Sequence, residues 1–258
     1  MQPIELYFWP TPNGLKISIA LEEMALPYVV RPVAIGKGDQ FKPAFLAISP
    51  NNRMPAIVDP EGPDGAPISV FESGAILQYL GRKTGKFFPS DERRRVEVEE
   101  WVAWQIANVG PMFGQASHFK NYAPNLVDEP EKITYSVSRY YNEVNRLLGV
   151  LEHRLEGREF VCGEYTIADI ASYPWVRVAH AFKQDLGNFP GVQSWLDRIA
   201  ARPAVQRGVA VGKELRKPPP APGSAEQQEA ARALFGQTAQ SVAEAAAEAT
   251  AANKADAT

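Results

Sequence analysis

The chain has 258 residues, of which 45% are hydrophobic; that allows one large domain or two small ones at ~100–200 residues each, with enough apolar material for a sizeable core. Twenty-seven Lys and Arg against 30 Asp and Glu leave a formal net charge of −3, too balanced for a protein built to bind nucleic acid. A single cysteine excludes an internal disulfide framework, a paired redox motif and a multi-cysteine zinc site, and three histidines leave little for a metal, so none is expected.

The start of the chain, Met1-Gln2-Pro3-Ile4-Glu5, lacks a basic region followed by an apolar run. No stretch approaches the ~18 consecutive apolar residues that span a bilayer. The expectation is a soluble cytoplasmic protein with neither a membrane nor a nucleic acid as partner. Ile4 to Phe8 is a short apolar and aromatic run halted by Pro10 and Pro12, which reads as a strand. After Asn13-Gly14, Ile17, Ala20, Leu21 and Met24 recur at i, i+3, i+4 and i+7, one face of a helix. Tyr28 to Val33, Ala56 to Val58 and Ile68 to Phe71 are further strands, and Glu72-Ser73-Gly74 opens a second helix through Ala75, Ile76, Tyr79 and Leu80. This order predicts a small mixed sheet with helices packed on it.

Lys86 to Ser90 reads as a linker between a first domain, 1–86, and a second, 91–215, in which strand signals disappear. Asp91 can cap a long helix carrying Val98, Trp101, Val102 and Gln105; Tyr135 to Leu155 is another, and Ile199 belongs to a shorter one. Glu92-Arg93-Arg94-Arg95 is a charged first turn on a solvated face. Thr166-Ile167-Ala168-Asp169 is a capping box that Tyr165 and Ile170 extend as a hydrophobic staple, a device that stabilises the fold. Trp101, Trp104, Trp175 and Trp195 are expected in the helical core, and Cys162 is expected as a small buried apolar residue. The tail, 217–258, begins with the stiff spacer Pro218-Pro219-Pro220-Ala221-Pro222 and has few large apolar side chains besides Leu234 and Phe235. It reads as disordered or as a marginal helix, dispensable for stability and turnover.

Three segments carry candidate chemistry. Thr11-Pro12-Asn13-Gly14 joins the first strand to the first helix, where free amides and the helix dipole favour an anion such as a thiolate. Thr11 offers a hydroxyl and Asn13 an amide; either also serves as a helix cap, and the motif alone leaves both roles open. Asn51-Asn52-Arg53-Met54-Pro55 precedes a strand, and a cis X-Pro bond there would expose the Met54 backbone to an extended ligand. Glu72-Ser73 at a helix start can take an ammonium and a carboxylate, although a Ser there is more often a cap.

The string from Leu6 to Leu80 resembles the Nu-class glutathione transferases, to which bacterial disulfide-bond oxidoreductases and the yeast nitrogen-regulatory prion protein are related. Its motifs are Thr-Pro-Asn-Gly at the first turn, Gly36-Lys37-Gly38-Asp39-Gln40-Phe41, Ile48 through Asp59, and Phe71-Glu72-Ser73-Gly74-Ala75-Ile76. The likeness continues through Gly110-Pro111-Met112-Phe113-Gly114-Gln115, Arg139-Tyr140 and Ile167-Ala168-Asp169-Ile170, covering roughly residues 4 to 210. It implies the glutathione transferase fold: a thioredoxin-like N-terminal domain followed by an all-helical C-terminal domain, in a homodimer with glutathione as cosubstrate. By this resemblance Thr11 and Asn13 address the glutathione sulfur and Met54 pairs its backbone with the cysteinyl part. Gln40 and Arg53 contact the glycyl end, Glu72 and Ser73 hold the γ-glutamyl end, and Arg139 lies near a second glutathione. His118, Phe119 and Tyr122 either line a second-substrate pocket or are surface loop residues. The tail inherits no function.

Better-known classes place Tyr, Ser or Cys at the first turn, and a redox CxxC of a thioredoxin-like domain would occupy this same turn. Here no thiol is present, so chemistry must use the thiols of glutathione. Each unit by which the protein lowers a thiol pKa requires ~1.36 kcal/mol of preferential thiolate stabilisation, within reach of a charge-assisted hydrogen bond. The resulting expectation is a glutathione-dependent disulfide reductase that uses two glutathione thiols and no protein cysteine. Alternatives are a transferase or lyase acting on an electrophile or thioether, and a regulatory module that binds glutathione without catalysis.

Overall fold

The four apolar runs form the strands β1 (Ile4–Phe8), β2 (Tyr28–Pro32), β3 (Ala56–Asp59) and β4 (Ile68–Phe71) of one sheet ordered β2-β1-β3-β4. The computed structural model describes residues 2–216, 220–221, 223–245 and 247. β1 and β2 are parallel, with Ile4 opposite Tyr28, while β3 runs antiparallel to β1 and to β4. A parallel pair needs a crossover, and the helix α1 (Pro12–Met24) supplies it. Val33, Ala56 and Phe45 of the short helix α2 (Pro43–Leu46) form an apolar cluster with Tyr7, Ile35, Ile48, Met54 and Phe71. That cluster links the loop after β2 to Met54 and Phe71.

The helix α3 (Ser73–Thr84) follows β4 directly, and the remainder is helical: α4 (Glu92–Trp104), α5 (Gly110–Asn121), α6 (Thr134–Leu155), α7 (Ile167–Val176), α8 (Pro190–Ala200) and α9 (Pro203–Ala210). Asp91 caps α4 as expected, its carboxylate accepting the Arg94 amide at 3.0 Å. α4 runs into α5 through one wide helical turn, Gln105–Val109. There the buried Gln105 accepts a 2.6 Å hydrogen bond from the Nζ of Lys16, itself 1% exposed. No pattern in the sequence announces this buried pair.

The capping box of α7 forms in full. Asp169 is completely buried; its carboxylate accepts the Val161 and Thr166 amides at 2.9 Å and the Trp195 indole N–H at 2.8 Å. Of the four tryptophans expected in the core, only Trp195 is fully buried; Trp101, Trp104 and Trp175 are half-buried. Trp101 and Trp104, three residues apart on α4, meet edge to face at 5.0 Å, and the Arg154 guanidinium lies 4.9 Å from the Trp101 ring centre. A cation over an indole face is favourable where some water reaches it, so these rings need not be sealed in.

The described chain divides into two compact units that are not consecutive stretches. One contains the sheet, residues up to Gly14, Leu26–Ile76, and the chain from Gly212 onward; the other contains Leu15–Ala25 and Leu77–Val211. In the first unit the tail forms a helix, α10 (Ala225–Phe235), capped by Ser224 and packed on the single turn Ile35–Lys37. Lys217, Pro218, Pro219 and Pro222 of the expected spacer, together with 248–258, lie outside the described residues. No helix among the described residues is long and apolar enough to cross a membrane.

Candidate active site

The turn between β1 and α1 is built around Gly14. A Cβ at this position would fall 2.2 Å from the Trp9 carbonyl oxygen, so any larger residue would have to open the turn. The Gly14 amide donates to Thr11 Oγ1 at 3.5 Å, a capping contact, so Thr11 does serve the helix start. Its hydroxyl in turn donates toward the Met54 sulfur at 3.9 Å, and the Trp9 amide donates to the same sulfur at 3.1 Å. Capping and sulfur-directed donation are therefore not exclusive: Thr11 accepts with a lone pair and directs its proton at a sulfur.

The second segment is pinned from below by Ser49. Its fully buried hydroxyl donates to the Arg53 carbonyl at 2.9 Å, and the Asn52 amide closes a turn onto the Ser49 carbonyl at 2.9 Å. The Met54-Pro55 bond is cis, as the sequence allowed. In the third segment Glu72 has φ = 66°, a left-handed conformation that costs a residue with a Cβ about 1–3 kcal/mol and is characteristic of binding sites. Ser73 is the first residue of α3 and is largely buried; the N-terminal turn of a helix favours an anion.

These segments converge on one cavity of about 230 Å³ lined by Asn13, Asn51, Arg53, Met54, Pro55, Glu72 and Ser73. A cation, an anion, a side-chain amide and a helix start thus share a single cleft, a set of groups matched to a zwitterion with a carboxylate at each end. Asn51, which stands in the second segment with no role of its own assigned by the sequence, lines the cavity and donates to Glu72 Oε1 at 3.1 Å. An Asn beside a turn carries no signal distinguishing it from an ordinary turn former.

Thr11 is not among the lining residues and reaches the cavity only through its contact with Met54, and the remaining candidates lie elsewhere. Gln40 is 3% exposed and is not among the cavity-lining residues; its amide donates to the Ile35 carbonyl at 3.0 Å and to the Ala233 carbonyl of α10 at 3.3 Å. Arg139, on the exposed side of α6, pairs with Glu143 at 3.6 Å. His118, Phe119 and Tyr122 sit at the end of α5 as one aromatic group: His118 meets Phe119 edge to face at 5.2 Å and stacks on Tyr122 at 6.3 Å, while Phe119 stacks on Tyr140 at 5.4 Å. Burial holds the His118 imidazole below its usual pKa. Cys162 belongs to the helical unit and is half-buried, not fully buried as expected; partial burial, with the nearby carboxylates of Asp169 and Glu97, still pushes its thiol up to about 12.

Residues 11–83 match the N-terminal domain of glutathione S-transferase and residues 124–203 its C-terminal domain. The disulfide-bond oxidoreductase YfcG of Escherichia coli (strain K12) is 49% identical over 203 residues, which make up 78% of this chain and 92% of YfcG. A glutathione transferase from Burkholderia graminis, solved with two glutathione molecules per subunit, is 46% identical with a TM-score of 0.76, over 82% of this chain and 89% of that one. Another from Pseudomonas putida, solved with one glutathione disulfide per subunit, is 43% identical with a TM-score of 0.75, over 81% and 91% of the two chains. A thioredoxin-like sheet domain followed by helices, matched over nearly the whole length of these relatives, means that the chain belongs to the glutathione S-transferase family.

Proposed function

We propose that this chain is a Nu-class, glutathione-dependent disulfide-bond reductase, working in the cytoplasm as a homodimer and drawing its electrons from two glutathione thiols. The observation that carries the reading is a polar cleft with ligand-matched ends and no thiol among its lining residues, in a chain whose one cysteine is held as a protonated thiol by burial. The relatives solved with two glutathione molecules and with glutathione disulfide give that cleft its ligand by analogy.

In this reading Glu72 takes the γ-glutamyl ammonium and Ser73, at the start of α3, the adjoining carboxylate. Met54 pairs its backbone with the cysteinyl part, and Arg53 and Gln40 address the glycyl carboxylate. Thr11 and Asn13 hold the glutathione sulfur. The Thr11 proton is already directed at a thioether, and a thiolate is a stronger acceptor, so the same donor turns to the incoming sulfur. Arg139 adds positive charge for the second glutathione, and His118, Phe119 and Tyr122 form the wall of the second-substrate pocket. One disulfide is reduced by two glutathiones to two product thiols and glutathione disulfide. The attacking thiol needs only a pKa near ambient pH, where exchange is fastest.

The reading is tested by calorimetric titration of the full chain with glutathione and with glutathione disulfide. Two glutathiones, or one glutathione disulfide, per subunit is the expected stoichiometry. Saturation by one glutathione, with no heat from the disulfide form, would remove the two-thiol mechanism.

A further inference from the structure

We propose that the tail helix α10 is a self-masking strap over the glutathione site: docked, it withholds Gln40 and clamps the 35–41 loop, and it must lift for the glycyl end of glutathione to bind fully. The proposal rests on the glutathione reading above. Three observations in the same compact unit carry it. Both Gln40 side-chain donor contacts go to backbone carbonyls, one of them Ala233 of α10, and the side chain is 3% exposed, so the docked form leaves no amide proton for a ligand carboxylate. The Gln40 Oε1 is buried without a hydrogen-bond partner, a costly arrangement that favours any state in which the side chain reaches water or a ligand.

α10 also seats on Gly36, where a Cβ would lie 3.6 Å from the Ala230 Cβ. The adjoining Ile35 packs on the same buried cluster as Met54 and Phe71, so the loop that α10 clamps is continuous with the wall of the cleft. The strap is built to release. Among the described residues of α10 none is fully buried, and an 11-residue helix is marginal in water without such burial. Glutathione and α10 then compete for the same loop, and the apparent affinity is the intrinsic one scaled by the fraction of molecules with the strap lifted.

Two full-length variants lift α10 by different means. Ala230→Arg places a bulky helix former against Gly36, and Ala233→Pro breaks the helix at the residue that accepts from Gln40. Hydrogen exchange should show the amides of 35–41 and 225–235 losing protection in both. Titration with glutathione should then give a Kd about three- to tenfold lower than that of the parent. In a Gln40→Leu background, Ala230→Arg should lower the Kd by a smaller factor than in the parent, leaving only the part that comes from release of the 35–41 loop. Unchanged or weaker glutathione binding in variants whose strap has demonstrably lifted would overturn the masking role, as would equal exchange of 225–235 in parent and variants. A parent chain that binds no glutathione would instead overturn the reading of the site itself.

Discussion

Asp169→Ala removes the acceptor for three buried N–H donors at once: the Val161 amide, the Thr166 amide and the Trp195 indole N–H, all at 2.8–2.9 Å. Each buried donor left unpaired costs ~1–3 kcal/mol, so the gross loss is about 3–9 kcal/mol. Relief from burying a carboxylate offsets part of this; burial pushes the Asp169 pKa up while the bonds from Val161, Trp195 and Thr166 pull it down. Net of that relief, a destabilisation of about 3–5 kcal/mol remains from the neutral donors left unpaired. For a chain of this size each kcal/mol lowers Tm by roughly 2–4 °C, so Asp169→Ala should melt about 6–20 °C below the parent. Asp169→Asn, which keeps one oxygen, should fall between the two. Thermal unfolding followed by circular dichroism reads both variants. An Asp169→Ala protein that melts within about 2 °C of the parent would refute the argument that this carboxylate holds the start of α7 to its surroundings.

Glu72→Gln should weaken glutathione binding by about 1–3 kcal/mol, roughly five- to 150-fold, because an ammonium loses its charged acceptor; calorimetry giving equal affinity would take Glu72 out of the γ-glutamyl site. Cys162, with its thiol at about 12, is about 10⁴-fold more protonated than ionised at pH 8, so iodoacetamide should label the native chain some thousand-fold more slowly than the chain in guanidinium. The raised value also means that this thiol's contribution to stability is complete below the ordinary thiol pKa and is lost as pH rises toward 12, which urea unfolding at pH 8 and pH 10.5 should register as a lower midpoint at the higher pH. A homodimer is expected, and light scattering at micromolar concentration that gives the monomer mass of 28.4 kDa would contradict it.

The fold was legible because its signals are local. The runs at Ile4 to Phe8 and Ile68 to Phe71 and the period of Ile17, Ala20, Leu21 and Met24 each name an element without reference to the rest, and all four residues of that helix face are buried. The Asp91 cap and the Thr166-Asp169 box are likewise side chain to backbone contacts within one turn. What escaped is long-range. Lys16 meets Gln105 across 89 residues, Asn51 meets Glu72 across 21, and Gln40 meets Ala233 across 193. None leaves a spacing in the chain, and the left-handed backbone of Glu72 has no compositional marker because a Gly would normally carry it. The tail shows the same limit: its low content of large apolar residues was readable, whereas its seat on Gly36 depends on a glycine nearly two hundred residues away.

The central claim is that glutathione thiols, held by Thr11 and Asn13, do the reduction without help from a protein cysteine. Steady-state turnover of hydroxyethyl disulfide, coupled to glutathione reductase, tests it in Cys162→Ser, Thr11→Ala and Asn13→Ala. Parental turnover is expected in Cys162→Ser, and a loss of about a hundred- to a thousand-fold in each first-turn variant, the size that follows removal of one donor to a developing anion. A folded but inactive Cys162→Ser protein, or full activity in both first-turn variants, would contradict it.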